Sequence, residues 1–277
     1  MQGWNALQGP ILVAHRGANL QAPENSMPAF RRALELGADV LETDVRATSD
    51  GAIVASHDPS GARTAGVDRL IRSSTLAEVR SWDIGRARSE ARAGQLPGAI
   101  GPCRMPELRE VLEELPEVLL NVDIKPLDLE VADRVVRLVE RQNAQERVLL
   151  TSFRFSVVRR VRERGYRGAV GMSRVQVAAA VLLPRFVSTA LAARARRAQI
   201  PLSSGPLRLD NGRVIDKLHA QGLAVDYWVV NRREQAERLL QIGADGIVTD
   251  DVAAMAELFL RSPRTAAWRQ RHPAKGR

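Results

Sequence analysis

Short runs of β-branched and aliphatic residues alternate along the chain with longer stretches whose apolar positions recur every three to four residues. The runs at 11–14, 40–45, 53–56, 119–124, 148–151, 169–172, 200–203, 224–230 and 246–249 are expected strands. The amphipathic stretches at 27–36, 108–115, 129–142, 155–163, 187–198, 212–221, 233–242 and 252–260 are expected helices. Strand-then-helix repetition implies parallel strands joined by right-handed crossovers. About eight such units in roughly 250 residues fit a closed (β/α)8, or TIM, barrel. An open doubly wound sheet is the alternative, but no Gly-x-Gly-x-x-Gly turn follows any of the expected strands.

One stretch breaks this rhythm. Residues 59–105 are rich in Gly, Arg, Ser and Pro, and hold one expected short helix at 75–81. A connection of that length is expected to carry function. Because it follows His57, it is expected to form a small insertion after the second strand region, lying over the barrel mouth. Residues 10–260 are therefore read as one barrel domain and 261–277 as a separate tail.

Composition narrows the class. At 277 residues, with 45% hydrophobic and 26% charged side chains, the chain can enclose a large α/β core. It has no uncharged apolar run of about 18 residues, so no membrane-crossing helix is expected. Residues 1–10 do not read as a secretory signal, and Cys103 is the single cysteine, which excludes an internal disulfide and a multi-cysteine zinc site. A cytoplasmic location is the simplest expectation.

The net charge of +9 is unevenly spread. Arg261, Arg264, Arg269, Arg271, Lys275 and Arg277 contribute six positive charges without an acidic neighbour, leaving +3 for the rest. Residues 261–277 read as a basic, disordered, solvated tail, with at most weak contact to an anionic membrane surface. Nothing in it specifies a nucleic acid.

The candidate chemistry sits at the expected strand ends. His15-Arg16-Gly17 closes the first strand, Glu42-Thr43-Asp44 lies on the second, and His57-Asp58 follows the short run at 53–56. Asp123 and Lys125 repeat the i, i+2 spacing later, and this spacing points both side chains to one face of a strand. Active sites of (β/α)8 barrels lie at these C-terminal strand ends. Charged pairs in otherwise apolar strands cost several kcal/mol unless paired or metal-bound. An all-oxygen trio of Glu42, Asp44 and Asp123 suits a hard divalent cation, Mg²⁺ or Ca²⁺, better than zinc. Arg16 and Lys125 can neutralise phosphoryl oxygens. Histidine titrates near neutrality, so His15 and His57 form a candidate general acid–base pair for phosphodiester cleavage. Each element also has a plain structural reading: a salt-bridged edge pair for Glu42 and Asp44, a hydrogen-bonded turn for His15, charge neutralisation for Lys125. Their joint placement at strand ends favours the functional one. His219 and His272 are read as surface residues.

At this point the chain resembles the glycerophosphodiester phosphodiesterase family. The resemblance runs from Ile11 to about Asp251. It rests on His15-Arg16-Gly17, Ala22-Pro23-Glu24-Asn25-Ser26 with Phe30, Gly37-Ala38-Asp39 and Leu41-Glu42-Thr43-Asp44-Val45. In order there follow Asp50-Gly51, His57-Asp58, Arg63-Thr64 with Gly66, Met105-Pro106-Glu107-Leu108, residues 121–126, Trp228-Val229-Val230-Asn231 and residues 243–250. It implies a TIM-barrel metalloenzyme that hydrolyses glycerophosphodiesters to sn-glycerol 3-phosphate and an alcohol. By the resemblance His15 and His57 are catalytic, and Glu42 and Asp44 are metal ligands. Arg16 and Lys125 match phosphate-contacting positions, and Trp228 an aromatic at the pocket mouth; core packing is the alternative for Trp228. One position departs from the pattern: the third ligand is usually glutamate and here it is Asp123. Related barrels acting on sphingomyelin or lysophospholipids can carry aspartate there, so a phospholipase D-like action on lysophospholipids or related lipid phosphodiesters is the alternative. A Schiff-base role for Lys125 is disfavoured by carboxylates that would keep it protonated. A barrel that only binds phosphodiesters is disfavoured by the presence of both histidines and all three carboxylates.

Overall fold

The continuous apolar runs become strands covered on both faces, as a parallel sheet enclosed by helices requires. The structure, a computed structural model, describes residues 3, 4, 7, 10–86, 102–184 and 195–260. Eight parallel strands form a closed sheet: β1 (Ile11–Ala14), β2 (Val40–Ala47), β3 (Leu119–Ile124), β4 (Val148–Thr151), β5 (Ala169–Gly171), β6 (Ala195–Pro201), β7 (Ala224–Trp228) and β8 (Gly246–Thr249). Each strand pairs with its neighbours in sequence, and β1 closes the barrel by pairing with β8 on one side and β2 on the other. The outer layer is α1 (Met27–Glu35), α2 (Leu108–Glu114), α3 (Leu129–Arg141), α4 (Phe155–Glu163), α5 (Arg174–Leu182), α6 (Gly212–His219), α7 (Arg233–Gln241) and α8 (Val252–Leu260). This is the (β/α)8 barrel that the periodicity implies.

Local chemistry explains the helix limits. Ser26 accepts from the Ala29 amide and caps α1, while Asp128 and Asn211 cap α3 and α6 in the same way. On α3, Val131, Val135, Val136 and Val139 form the buried stripe that faces the sheet. Phe30 of α1 is fully buried, and truncating a side chain of that size in a packed core costs about 3–5 kcal/mol.

The barrel floor is sealed by an arrangement the sequence did not announce. Arg197 on β6 forms an ion pair with Asp226 on β7, and both side chains are almost completely buried. The Trp4 ring lies 5.7 Å from this guanidinium, and its indole N–H is shared by the carbonyls of Leu120 and Arg147. Gly246 on β8 has no alternative here, since a Cβ would run into the Asp226 carboxylate.

Two expectations need correction. Of the expected helix at 187–198, residues 187–194 lie outside the described residues, and 195–198 open strand β6 instead. The Ala/Arg-rich composition there has high helix propensity, but Arg197 and Gln199 point into the barrel, and tertiary pairing overrides the local preference. The strand expected at 200–203 accordingly begins at Ala195 and ends at Pro201. Helix α5 was not foreseen, although Ser173 and Gln176 form a capping box at its start.

Between β2 and α2 the chain leaves the barrel. Ile53–Ala55 runs back antiparallel along the end of β2, with Val45 opposite Ala55. A two-strand ribbon (Ser60–Gly61 with Val67–Leu70) and a short helix, Leu76–Arg80, then pack around Val54, Ile71, Trp82 and Met105. The short helix falls where it was expected. Part of the expected insertion, 87–101, and the whole tail, 261–277, lie outside the described residues.

Candidate active site

Past the last residue of β1 the backbone turns sharply: Arg16 has φ +58° and Gly17 φ +80°. The Gly17 Cα lies against the Ala29 backbone, where a Cβ would clash. This turn aims the Arg16 amide at the Glu42 carboxylate on β2 (2.9 Å) and leaves His15 at the barrel mouth. The hairpin strand Ile53–Ala55 carries the chain back beside β2, where the Ser56 amide donates to the Asp44 carbonyl, so His57 arrives next to the same carboxylates. Arg46 fixes that segment with two hydrogen bonds to the His57 carbonyl (2.9 and 2.7 Å).

Each histidine is backed by a carboxylate. His15 Nδ1 lies 2.7 Å from Asp250 Oδ1, just beyond β8. Asp250 also accepts from the amides of Asn19 and Asn231. Burial works against a charge on His15, but the Asp250 hydrogen bond and the nearby Glu42 charge outweigh it and raise its pKa. Partial burial opposes ionisation of Asp250 as well, yet its three donors bring its carboxyl down to about 2. His57 Nδ1 lies 2.7 Å from Asp58 Oδ1. Asp58 is shared with Arg63, whose guanidinium also makes two 2.7 Å hydrogen bonds to Glu24. Glu24 in turn holds Arg16 at 3.0 Å.

The three candidate ligands come from neighbouring strands. In the β2–β3 register Glu42 stands opposite Asn121, and Asp44 opposite Asp123. Two buried carboxylates facing each other across parallel strands repel, and Lys125 offsets this: its ammonium lies 2.7 Å from Asp44 and 2.6 Å from Asp123. Arg16 Nε approaches Asp44 at 3.1 Å, and Asn25 donates to it at the same distance. Burial raises the carboxyl of Asp44, but Lys125 and Arg16 reverse the sign and hold it below the usual range. Glu42 has no such cation against it. Burial and the Asp44 charge push it up to about 7. Burial also raises Asp123, more than Lys125 lowers it. Lys125 itself, despite burial, is pushed up to about 12 by Asp123 and Asp44.

His15, Arg16, Glu42, Asp44, His57, Asp123, Lys125 and Trp228 all line one cavity of about 210 Å³ at the C-terminal end of the barrel. All eight candidate residues thus converge. Trp228 stands at the cavity wall, stacked on Phe153 with ring centroids 5.3 Å apart. A wider cavity of about 450 Å³ adjoins through His15 and Arg16, and Pro23, Arg63 and Ile84 help to line it. His219 is exposed on α6 and paired with Asp245, as a surface residue; His272 lies outside the described residues.

Glu42, Asp44 and Asp123 are all oxygen donors, and Asp123 Oδ1 is buried with no hydrogen-bond partner. The carboxyls of Glu42 and Asp123 are raised chiefly by burial and secondarily by the Asp44 charge, and a bound cation would offset both. Such residues fit a hard divalent cation. Among the described residues, however, no three His, Cys, Asp or Glu side chains converge as a ready-made ligand set, and Lys125 occupies the space between two of the three.

Residues 15–254 match the model of the glycerophosphoryl diester phosphodiesterase family. The chain belongs to this family. It is therefore a phosphoric diester hydrolase. A glycerophosphodiester phosphodiesterase of Caldanaerobacter subterraneus is 29% identical, over 90% of this chain and 97% of its own length. A probable glycerophosphodiester phosphodiesterase of Mycobacterium tuberculosis is 30% identical, with 91% of each chain covered. The fold is that of an Oleispira antarctica phosphodiesterase solved with sn-glycerol-3-phosphate (TM-score 0.76, 23% identity, 90% of this chain and 96% of that one).

Sequence reasoning missed several partners within this family framework. Asp250 lies one residue beyond the apolar run of β8, and the rule that placed His15 at a strand end applies equally to it. Gln199 entered the cavity unannounced because it fell between the helix expected at 187–198 and the strand expected at 200–203; its Oε1 accepts from Asn121 at 3.1 Å. Phe153, exposed beyond β4, carried no signal of its own.

Proposed function

We propose that the protein hydrolyses glycerophosphodiesters to sn-glycerol 3-phosphate and an alcohol at the mouth of the barrel, with His15 and His57 as the proton-transfer pair. The observation behind this reading is the pairing of two carboxylate-backed histidines on one cavity with Arg16, Lys125 and three buried carboxylates.

The two histidines differ in their support. Apart from His15, the donors to Asp250 are neutral amides, so its full charge favours a protonated His15. Asp58, by contrast, is shared between His57 and the Arg63 guanidinium. His15 is then the general acid that gives a proton to the leaving alkoxide, and His57 the base that takes one from the attacking hydroxyl or water. Arg16 and Lys125 bind the phosphoryl oxygens. As fixed donors they stabilise the negative charge that grows in the transition state. Glu42, Asp44 and Asp123 would hold Mg²⁺ or Ca²⁺. When bound, that ion adds Lewis-acid polarisation of the phosphoryl group. Phe153 and Trp228 close one side of the cavity and keep bulk water from the reacting groups.

The test is glycerol 3-phosphate release from glycerophosphocholine and glycerophosphoethanolamine by EDTA-stripped protein, with Mg²⁺ or Ca²⁺ added back. Release restored by either ion is expected. Full release without metal would remove the ion from the proposal, and none under any condition would transfer the reading to lysophospholipid substrates. A human relative, 28% identical over 86% of this chain, is described as a lysophospholipase D.

A further inference from the structure

Eight large apolar side chains stand exposed among the described residues, and six of them belong to one end of the molecule. Leu127 and Leu129 follow β3, Phe153 and Phe155 follow β4, Val175 opens α5, and Leu207 lies on the short hairpin after β6. All six occupy βα connections or first helical turns, the elements that make up the mouth of a (β/α)8 barrel. Val175 keeps 64% of its surface accessible, against a buried norm for valine. Scattered single exposures need no explanation, whereas a group on one rim does.

This rim is continuous with the catalytic cavity. Phe153 is both a wall of the cavity and part of the exposed rim, and the Arg174 amide bonded to the Phe153 carbonyl ties the two loops together. Basic side chains are set between the apolar ones. Arg154 and Arg232 occupy the N-cap positions of α4 and α7, and Arg174 opens α5. Neither N-cap arginine makes a capping hydrogen bond, so a position where Ser, Asp or Asn would satisfy the helix is given to a cation instead. Cations at helix N-termini also meet the positive end of the helix dipole. No carboxylate among the described residues pairs with Arg154, Arg174 or Arg232; Arg208, beside Leu207, is held by Asp210. Toward β3 the rim becomes mixed, with Asp128 and Glu130 beside Leu127 and Leu129.

Exposed aromatic and aliphatic side chains interleaved with guanidiniums and helix N-termini match one surface chemistry: an anionic headgroup layer over an acyl interior. We propose that the β4–β7 side of the barrel mouth is a docking surface for an anionic lipid bilayer. Phe155, Val175 and Leu207 enter the acyl boundary while Arg154, Arg174 and Arg232 remain among the headgroups. Docking in this orientation turns the mouth of the cavity toward the lipid. Binding is measured without turnover, so its outcome is separate from that of the hydrolytic reading.

The test is co-sedimentation of the full chain with vesicles of phosphatidylcholine alone and of an equal mixture with phosphatidylglycerol. The parent is expected to prefer the mixed vesicles. A Phe155→Ser/Val175→Ser/Leu207→Ser variant is expected to bind them at least tenfold more weakly. An Arg154→Gln/Arg174→Gln/Arg232→Gln variant is expected to lose about a hundredfold, at about fivefold for each removed charge. Both should release glycerol 3-phosphate from soluble glycerophosphocholine at the parental rate. If the apolar variant melts early, the arginine variant decides alone. A parent that ignores mixed vesicles, or an arginine variant that binds them as the parent does, overturns the proposal; the second result would shift the contact to residues 261–277.

Discussion

Replacing Asp250 by asparagine probes the acid–base assignment most directly, because the change keeps the shape of the side chain and removes only its charge. Asp250 accepts from His15 Nδ1 at 2.7 Å and from the side-chain amides of Asn19 and Asn231. A hydrogen bond between charged partners contributes about 1.5–3 kcal/mol. At about 1.36 kcal/mol per decade of rate, its loss predicts a fall in kcat of about 10- to 150-fold. The pH profile has a definite sign. The carboxylate raises the pKa of His15, so the variant histidine gives up its proton at lower pH. Because His15 must be protonated to act as the acid, the alkaline limb of kcat should move to lower pH. Stability follows a separate window. The Asp250 carboxyl is depressed from its ordinary 3.8 to about 2, so its contribution is present above pH ~4 and is lost as pH falls toward 2. The group is partly solvent-screened, so that contribution is on the order of 1 kcal/mol. Glycerol 3-phosphate release across pH 5 to 9, alongside thermal melting at pH 7, provides both readouts. A kcat within twofold of the parent and an unmoved alkaline limb would refute the role of His15 as the acid.

Two further changes test the charge balance of the barrel. Lys125→Met leaves Asp44 and Asp123 buried and facing each other without their ammonium. Breaking a buried pair costs about 3–5 kcal/mol. At roughly 2–4 °C per kcal/mol for a chain of this size, the melting temperature should fall by roughly 6 to 20 °C. Added Mg²⁺ should recover more of that loss in the variant than it gains in the parent; equal shifts would count against a cation site at these carboxylates. At the opposite end, Arg197→Met strands the fully buried Asp226 and should destabilise by a similar 3–5 kcal/mol, while the double change Arg197→Met/Asp226→Leu recovers most of it. Denaturant unfolding of the two variants decides this, and a single variant as stable as the parent would show that the pair is not a structural element of the floor.

The barrel and most of its strand and helix limits follow from periodicity alone, because one buried face per element leaves its mark at a fixed spacing. Elements β1, β3, β4, β8, α4 and α8 fall on the expected residues. The convergence of the candidate site residues was legible for the same reason: His15, Glu42, Asp44, Asp123 and Lys125 are polar side chains at the ends of runs that otherwise read as buried, and strand ends in this fold share one mouth. Strand β6 was legible only at its end, where a strand was expected from 200. Residues 195–198 favour a helix locally, and the pairing of β6 with β5 and β7, the Arg197–Asp226 ion pair and the entry of Gln199 beside Asn121 make the extended segment favourable.

What sequence by itself determined, then, is which residues face inward and which chemistry they can supply. The tertiary structure decided who neutralises whom. Lys125 lies between Asp44 and Asp123 because β2 and β3 pair in a register that sets those carboxylates opposite each other. Asp250 supports His15 across 235 residues of chain because β1 and β8 are neighbours in the closed barrel. Electrostatic partnership depends on distances of a few ångströms, and these are fixed by strand register and barrel closure rather than by spacing along the chain.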